Sequence, residues 1–319
     1  MKIAEIYQLA VDKGIEADPR GGERVRRILE KTEEKFNALD KDEKSEFDKE
    51  SINNPYKDTR ILWGDPQAEV QRLLAGIDIG GEELLLADRF RDKGEGFDLV
   101  VSHHPEGRAL AGLYGVMDVQ EDILFNHGIP INVAEGIMAP RIKEVQRGLL
   151  PRNHNRSVDI ARLLNIPFIC VHTPADNLVV KYLENYFNAK EPETVGDIIS
   201  LLKEIPEYKI ASGVGAGPRC IVGSEESRAG KVFVDMTGGT GGSEKSYEKL
   251  ANAGVGTVVS MHMSEKHRKE AEKNYINVVI AGHMASDSLG VNLFLDDLEV
   301  RGIEIVTCSG LIRHSRTKK

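Results

Sequence analysis

Apolar positions change their period along the chain. Near the start, Ile3, Ile6, Tyr7, Ala10 and Val11 recur at helical spacing, which predicts one buried helix face. Gly14 is the expected end of that helix. Val25, Ile28, Leu29, Phe36 and Leu39 mark a second helix with a densely charged outer face. Asn53-Asn54-Pro55 break the pattern, and a polar loop is expected through Trp63-Gly64-Asp65-Pro66. Beyond it the pattern shortens. Leu73 to Ile77 reads as a strand, Gly81 to Arg91 as a helix with Leu84, Leu85 and Ala87 inward, and Phe97 to Ser102 as a second strand. A strand, helix and strand within about 30 residues predict a parallel pair joined by a right-handed crossover.

The alternation continues. Helices are expected at Asp118 to His127, Ala139 to Leu149 and, capped by Ser157, up to Leu164. Ile129 to Asn132 reads as a short extended piece and Ile166 to Val171 as a strand ending in His172. In the second half Thr194 caps a helix from Val195 to Lys203, and Tyr208 to Ser212 looks extended. Strands are expected at Arg219 to Val222, Lys231 to Asp235, Gly256 to Ser260, Ile276 to Ile280 and Ile303 to Cys308. Helices are expected at Glu244 to Ala253, Ser264 to Asn274 and Ser288 to Arg301. The basic end, Arg313 to Lys319, reads as a frayed tail. No exact repeat is found, but both halves are α/β.

At 319 residues the chain is long enough for about two domains or one large one. A hydrophobic content of 40% allows a sizeable core, and a net charge of −9 argues against general nucleic-acid or membrane-surface binding. The three cysteines, Cys170, Cys220 and Cys308, lie far apart with no CxxC, so a disulfide framework is not expected. The first residues carry no signal-peptide core, and no apolar stretch approaches the ~18 residues of a membrane span. The expectation is a soluble, cytoplasmic protein.

The chemistry gathers at strand ends. Four of them carry histidine: Ser102-His103-His104, Val171-His172, Ser260-Met261-His262 and Ala281-Gly282-His283. Open α/β sheets bind ligands at that end. Carboxylates follow four residues on in His172-Thr-Pro-Ala-Asp176 and His283-Met-Ala-Ser-Asp287. If His283 opens a helix, Asp287 lies one turn above it, whereas Pro174 argues for a turn after His172. Imidazole plus carboxylate without thiolate suits zinc, iron or manganese. His103, His104, Asp176, His283 and Asp287 are the candidate ligands, too many for one catalytic ion with an open position, and they suit two ions ~3.5–4 Å apart that activate water. His172 is expected beside them, as a supporting group or proton shuttle. His262 and His267 are candidate substrate contacts, while His127, His154 and His314 read as structural or solvated. Met236-Thr-Gly-Gly239-Thr-Gly241-Gly-Ser243 feeds a predicted helix, so Gly239 and Gly241 could hold an anion with backbone N–H groups, or simply form a tight turn. The Gly-Lys-Ser/Thr of a P-loop is absent.

With these motifs in order, HHP at His103 to Pro105, HTPAD at His172 to Asp176, GGTGGS at Gly238 to Ser243 and GHMASD at Gly282 to Asp287, the chain resembles the GTP cyclohydrolase I type 2 homologue family, also called Nif-three-like proteins. The upstream AGIDIGGEELLLA adds to the likeness, which spans residues 60 to 310. The resemblance implies an α/β fold of two lobes, 61–185 and 186–319, with a dinuclear metal site in the cleft between them, and ring-shaped homo-oligomers, often hexamers. Residues 1–60 would be an added helical extension. Carried over by position, the ligands would again be His103, His104, Asp176, His283 and Asp287, with His172 alongside. Asp287 stands where the family usually has glutamate, Met284 replaces a common aromatic, and Glu106-Gly107 follows HHP where apolar residues are usual. The implied activity is hydrolysis by metal-activated water, on an unknown small molecule for which a nucleotide-like compound is one candidate. The alternative is a non-catalytic metal-binding or partner-binding regulatory protein.

Overall fold

The strands gather into two sheets. The computed structural model describes residues 1–317. Its strands, in chain order, are β1 Arg60–Trp63, β2 Arg72–Gly76, β3 Leu99–Ser102, β4 Phe168–Cys170, β5 Arg219–Val222, β6 Lys231–Asp235, β7 Val255–Ser260, β8 Asn277–Ile280 and β9 Glu304–Cys308. The first sheet runs β1-β4-β3-β2-β9 and the second β5-β8-β7-β6. In each, one antiparallel edge strand precedes three parallel strands, and β9 joins the first sheet parallel to β2. The last strand of the chain therefore returns to the sheet built by its first half.

Helices cover both sheets, and two of them matter most for the site. Thr173–Lys190 leaves β4, and His283–Val300 leaves β8. They cross so closely that a Cβ added at Gly290 would meet the Ala175 carbonyl oxygen at 2.3 Å. Small residues are needed at such a crossing because interiors are close-packed. Val179, Leu183, Ala285 and Leu289 belong to the core on the second sheet, while Ala175, Val291, Phe294 and Leu295 belong to the core under the first.

The expected helix at the start packs into this core. Ile3–Glu16 buries Ile3, Ile6, Ala10, Val11 and Gly14, and its first three apolar residues join Leu73, Val101 and Ile169 of the first sheet. Gly14 does not end it. A side chain there would meet Pro174 at 2.8 Å, so glycine allows the helix to lie against the start of Thr173–Lys190. The next helix, Gly22–Ala38, buries only Val25.

Several local expectations are corrected. The segment read as a polar loop contains β1, whose Arg60 is buried and hydrogen-bonds the carbonyls of Tyr56 and Thr59. Ile131–Leu149 is one helix across the piece read as extended, with Pro140 inside it. Ser157 is not the cap: that helix starts at Arg156 after Asn155. Pro206–Gly213 is helical where an extended segment was predicted, since Pro206 fits the first turn and Tyr208 and Ala211 turn inward together. The last long helix starts five residues early, at His283. The basic end is pinned rather than frayed as far as it is described: Arg313 pairs with Asp296 and Glu299, and Arg316 with buried Glu207. Residues 318–319 of that stretch lie outside the described residues. No helix among the described residues is long and apolar enough to cross a membrane.

Candidate metal centre

β3 delivers the first two side chains. All four of its residues are buried, so the chain leaves the sheet directly into the imidazoles of His103 and His104. Ser102 Oγ donates to the His104 carbonyl at 2.6 Å and closes this turn. The third imidazole, His172, stands just before the helix Thr173–Lys190. Pro174 does not prevent that helix, because the first turn needs no N–H from it. Asp176 therefore stands one turn above His172, with Nε2 3.8 Å from Asp176 Oδ2. The helix at His283 places Asp287 one turn on, with 3.4 Å between His283 Nε2 and Asp287 Oδ2.

All five candidate ligands converge. His103 Nε2 lies 3.4 Å from Asp176 Oδ1 and 3.6 Å from Asp287 Oδ1, and His104 Nε2 lies 3.3 Å from Asp287 Oδ2. Two groups have ligand atoms close enough to hold an ion: His103, His172 and Asp176, and His103, His104 and Asp287. The three imidazoles of the first sheet share one further property. Each has Nδ1 engaged by an oxygen: His103 by the Val171 carbonyl at 3.1 Å, His104 by Asp78 at 2.7 Å, His172 by Asp58 at 2.8 Å. A carbonyl or carboxylate can only accept, so Nδ1 carries the proton in all three. The lone pair then sits on Nε2, the tautomer that ligates metals.

The oxygens facing those lone pairs lack donors. Asp176 Oδ1 and both oxygens of Asp287 are buried without a hydrogen-bond partner. Buried carboxylates facing nitrogen lone pairs repel unless positive charge is supplied. In the protein alone, protons must do this. Burial pushes Asp176 up to about 6. Burial works against ionised Asp287 too, but His103, His104 and His283 hold its carboxyl well below the usual range. His172 is raised to about 9, burial opposing and Asp176 and Asp58 prevailing, while burial pushes His283 down to about 4. A divalent cation would satisfy the same oxygens and lone pairs together, so this donor set fits a metal.

The cluster opens into a cleft of about 170 Å³ whose wall includes His172, Asp176, His283 and Asp287 together with Asp235, Tyr247, His262 and His267. His262 stacks obliquely on His283, ring centres 4.7 Å apart. His267 lines the cleft, but Ser264 engages its Nδ1 at 2.6 Å and its Nε2 donates to the Gly242 carbonyl at 3.0 Å, so its ring clamps the glycine loop. Gly239 and Gly241 border the cleft, with Gly238 and Gly239 at φ of +92° and +83°, a conformation that favours glycine. The loop does not run straight into a helix, because the next one is only Ser246–Asn252. Its carbonyls at Gly238, Thr240 and Gly241 are held by Gln120 and Arg141.

Three carboxylates escaped the sequence reading. Asp78 and Asp235 both stand at or just beyond strand ends, where the rule that flagged the histidines would have found them. Asp58 carries no such signal: it lies before β1 and meets His172 only through folding.

The geometry defines an α/β protein with a buried histidine–aspartate cluster, able to hold a metal ion, at the carboxyl ends of its strands. Comparison with solved structures gives its relatives. A NIF3 superfamily protein from Sphaerobacter thermophilus superposes with a TM-score of 0.70 at 28% identity, over 82% of this chain and 94% of that one. Reduced HcgD from Methanocaldococcus jannaschii matches at 17% identity over 77% of this chain and 87% of its own, TM-score 0.49. Protein ybgI, of unknown function, matches at 14% over 88% and 95%, TM-score 0.48. No family model and no curated protein matches the chain. The chain is thus similar to NIF3 superfamily proteins over most of its length.

Proposed function

We propose that this protein is a dinuclear metal-dependent hydrolase acting on a small molecule. The observation that carries the reading is the convergence of Nδ1-anchored imidazoles on partnerless carboxylate oxygens. Asp287 supports two ions rather than one, since its Oδ1 faces His103 while its Oδ2 faces His104 and His283. One ion would be held by His103, Asp176 and Asp287, the other by His104, His283 and Asp287. Divalent zinc, iron or manganese there would supply Lewis acidity toward water and toward the scissile group. The chain's own residues do the rest. Asp58 fixes the orientation of His172, which can pass a proton at Nε2 beside Asp176. The cleft positions the substrate next to the cluster.

On this reading the two sheets are the cores of two α/β lobes, with the cluster between them. The division proposed is 61–185 and a second lobe from 186, with β9 crossing back to the first and Ile3–Glu16 serving as part of its core. The working form is a cytoplasmic homo-oligomer, a ring of the hexameric kind. The test is metal analysis of the purified protein, followed by turnover of a hydrolase substrate panel after loading with zinc, manganese or iron. About two metals per chain and turnover abolished by His104→Ala are expected. Turnover retained in that variant overturns the mechanism, and bound metal without turnover favours a non-catalytic metal-binding role.

A further inference from the structure

Asp235 closes β6 and lines the cleft. Among the described residues no hydrogen bond or ion pair reaches its carboxylate. Two neighbouring polar side chains are committed elsewhere. His267 spends both ring nitrogens on Ser264 and Gly242, and Arg141 bonds the Gly241 carbonyl and Glu144. The cleft wall also carries apolar surface from Met236, Met261, Met263 and the ring of Tyr247. A carboxylate with two free oxygens in a partly apolar cleft is costly unless something donates to it. Burial pushes Asp235 up to about 6, so near neutral pH it is still mainly charged.

We propose that Asp235 is the recognition residue of a subsite for a planar N–H donor edge, of the amidine, guanidine or amide type, on the molecule whose reacting bond lies at the histidine–aspartate cluster. Two parallel N–H groups match the two carboxylate oxygens. The methionines and Tyr247 suit the flat body of such a group. His262, with no hydrogen bond to its ring among the described residues, lines the same cleft and lies against His283. The proposal rests on the reading of the cleft as a substrate site, and adds to it the chemistry of what is recognised.

The test uses the full chain and two flat probes of similar size, benzamidine and benzoate, with binding measured by calorimetry and metal content measured in every sample. Benzamidine should bind, and benzoate at least about tenfold more weakly. Asp235→Asn should weaken benzamidine by about tenfold or more while metal content stays at the wild-type level. Asp235→Glu, which keeps the charge, should recover part of the loss and guards against a folding defect in the first variant. His104→Ala should lose metal and keep Asp235-dependent benzamidine binding. Absence of benzamidine binding, equal binding of benzoate, or an Asp235→Asn variant within twofold of wild type would each overturn the proposal. A wild-type protein without metal that still binds benzamidine through Asp235 would sink the metal-dependent reading and leave this one standing.

Discussion

Across the parallel strands of the first sheet, Gly76, Ser102 and Cys170 lie in one row; across the second, the matching row is Asp235, Ser260 and Ile280. The strand orders match as well, edge strand included. Ser102 and Ser260 even make the same turn, their Oγ atoms donating to the carbonyls of His104 and His262 at 2.6 and 3.0 Å. By this register His262 is the counterpart of His104, and the resemblance ends at the rings. Nδ1 of His104 is held by Asp78, while no hydrogen bond fixes the ring of His262 among the described residues. One sheet presents imidazoles locked in a single tautomer, the other a loose imidazole and a free carboxylate. Locked donors suit a fixed cation, because preorganised ligands need no rearrangement on binding. Unpartnered groups suit a variable occupant, which supplies their missing partners when it binds.

The largest expected effect sharpens this contrast at the two histidines. Asp78→Ala should lower metal affinity by about 10- to 100-fold in a chelator competition, because an anchored imidazole loses its orienting acceptor. His262→Ala should change that affinity by less than about threefold, since its ring has no such anchor. Equal losses in both variants would erase the distinction between the sheets.

Next comes the helix crossing that joins the two halves. Gly290→Ala forces a Cβ toward the Ala175 carbonyl and Val179 Cγ2, which it would meet at 2.3 and 2.7 Å. Overpacking of this kind costs about 2 kcal/mol, read as a lower denaturation midpoint in urea. The strained segment adjoins Asp176, so metal affinity should fall with stability. A variant as stable as wild type would mean that the crossing is looser than its geometry.

How much of this was legible depended on where the information lay in the chain. His103, His104, Asp176, His283 and Asp287 were readable because each histidine follows a strand or opens a helix and each aspartate comes four residues after a histidine, so local pattern announced both element and side chain. Asp58 and β1 were not, since an edge strand of four residues with a buried arginine has no apolar alternation to detect. The helix Pro206–Gly213 was misread because eight residues give too few turns to show a period. The shared strand order was invisible for a different reason. It lives in pairing and register, and the residues at matched positions, such as Gly76 and Asp235, differ in chemistry.

A smaller effect should appear in the pH dependence of stability, where Asp235 has no titratable match at Gly76. Burial pushes its folded pKa up to about 6, above the ordinary value of 3.8. The folded state therefore binds the proton more tightly than the unfolded state. Stability from this group is complete below the unfolded value and is lost as pH rises toward 6. Asp235→Asn has no such titration. Wild type should lose stability relative to the variant between pH 4 and 6, by something on the order of 2 kcal/mol, and run parallel to it above pH 7. His267 and Tyr247 face the same group, so both chains should be followed across that range by urea denaturation. A flat difference would show that the carboxylate is solvated rather than recessed.

The smallest effect separates the two serine turns. Ser102→Ala and Ser260→Ala each remove a donor from a strand-end carbonyl, at a cost of about 1 kcal/mol apiece. Ser102 is fully buried, so the His104 carbonyl has little access to water as a substitute, and Ser260 is buried nearly as well. Stability alone should hardly tell the variants apart. Metal affinity should, because Ser102 sets the path of the backbone that carries two anchored imidazoles, whereas Ser260 sets the path of one unanchored ring. Ser102→Ala should weaken metal binding severalfold and leave benzamidine binding unchanged; Ser260→Ala should do the reverse. If both variants lose metal alike, His262 takes part in holding the ions, and the second sheet contributes to the centre through more than His283 and Asp287.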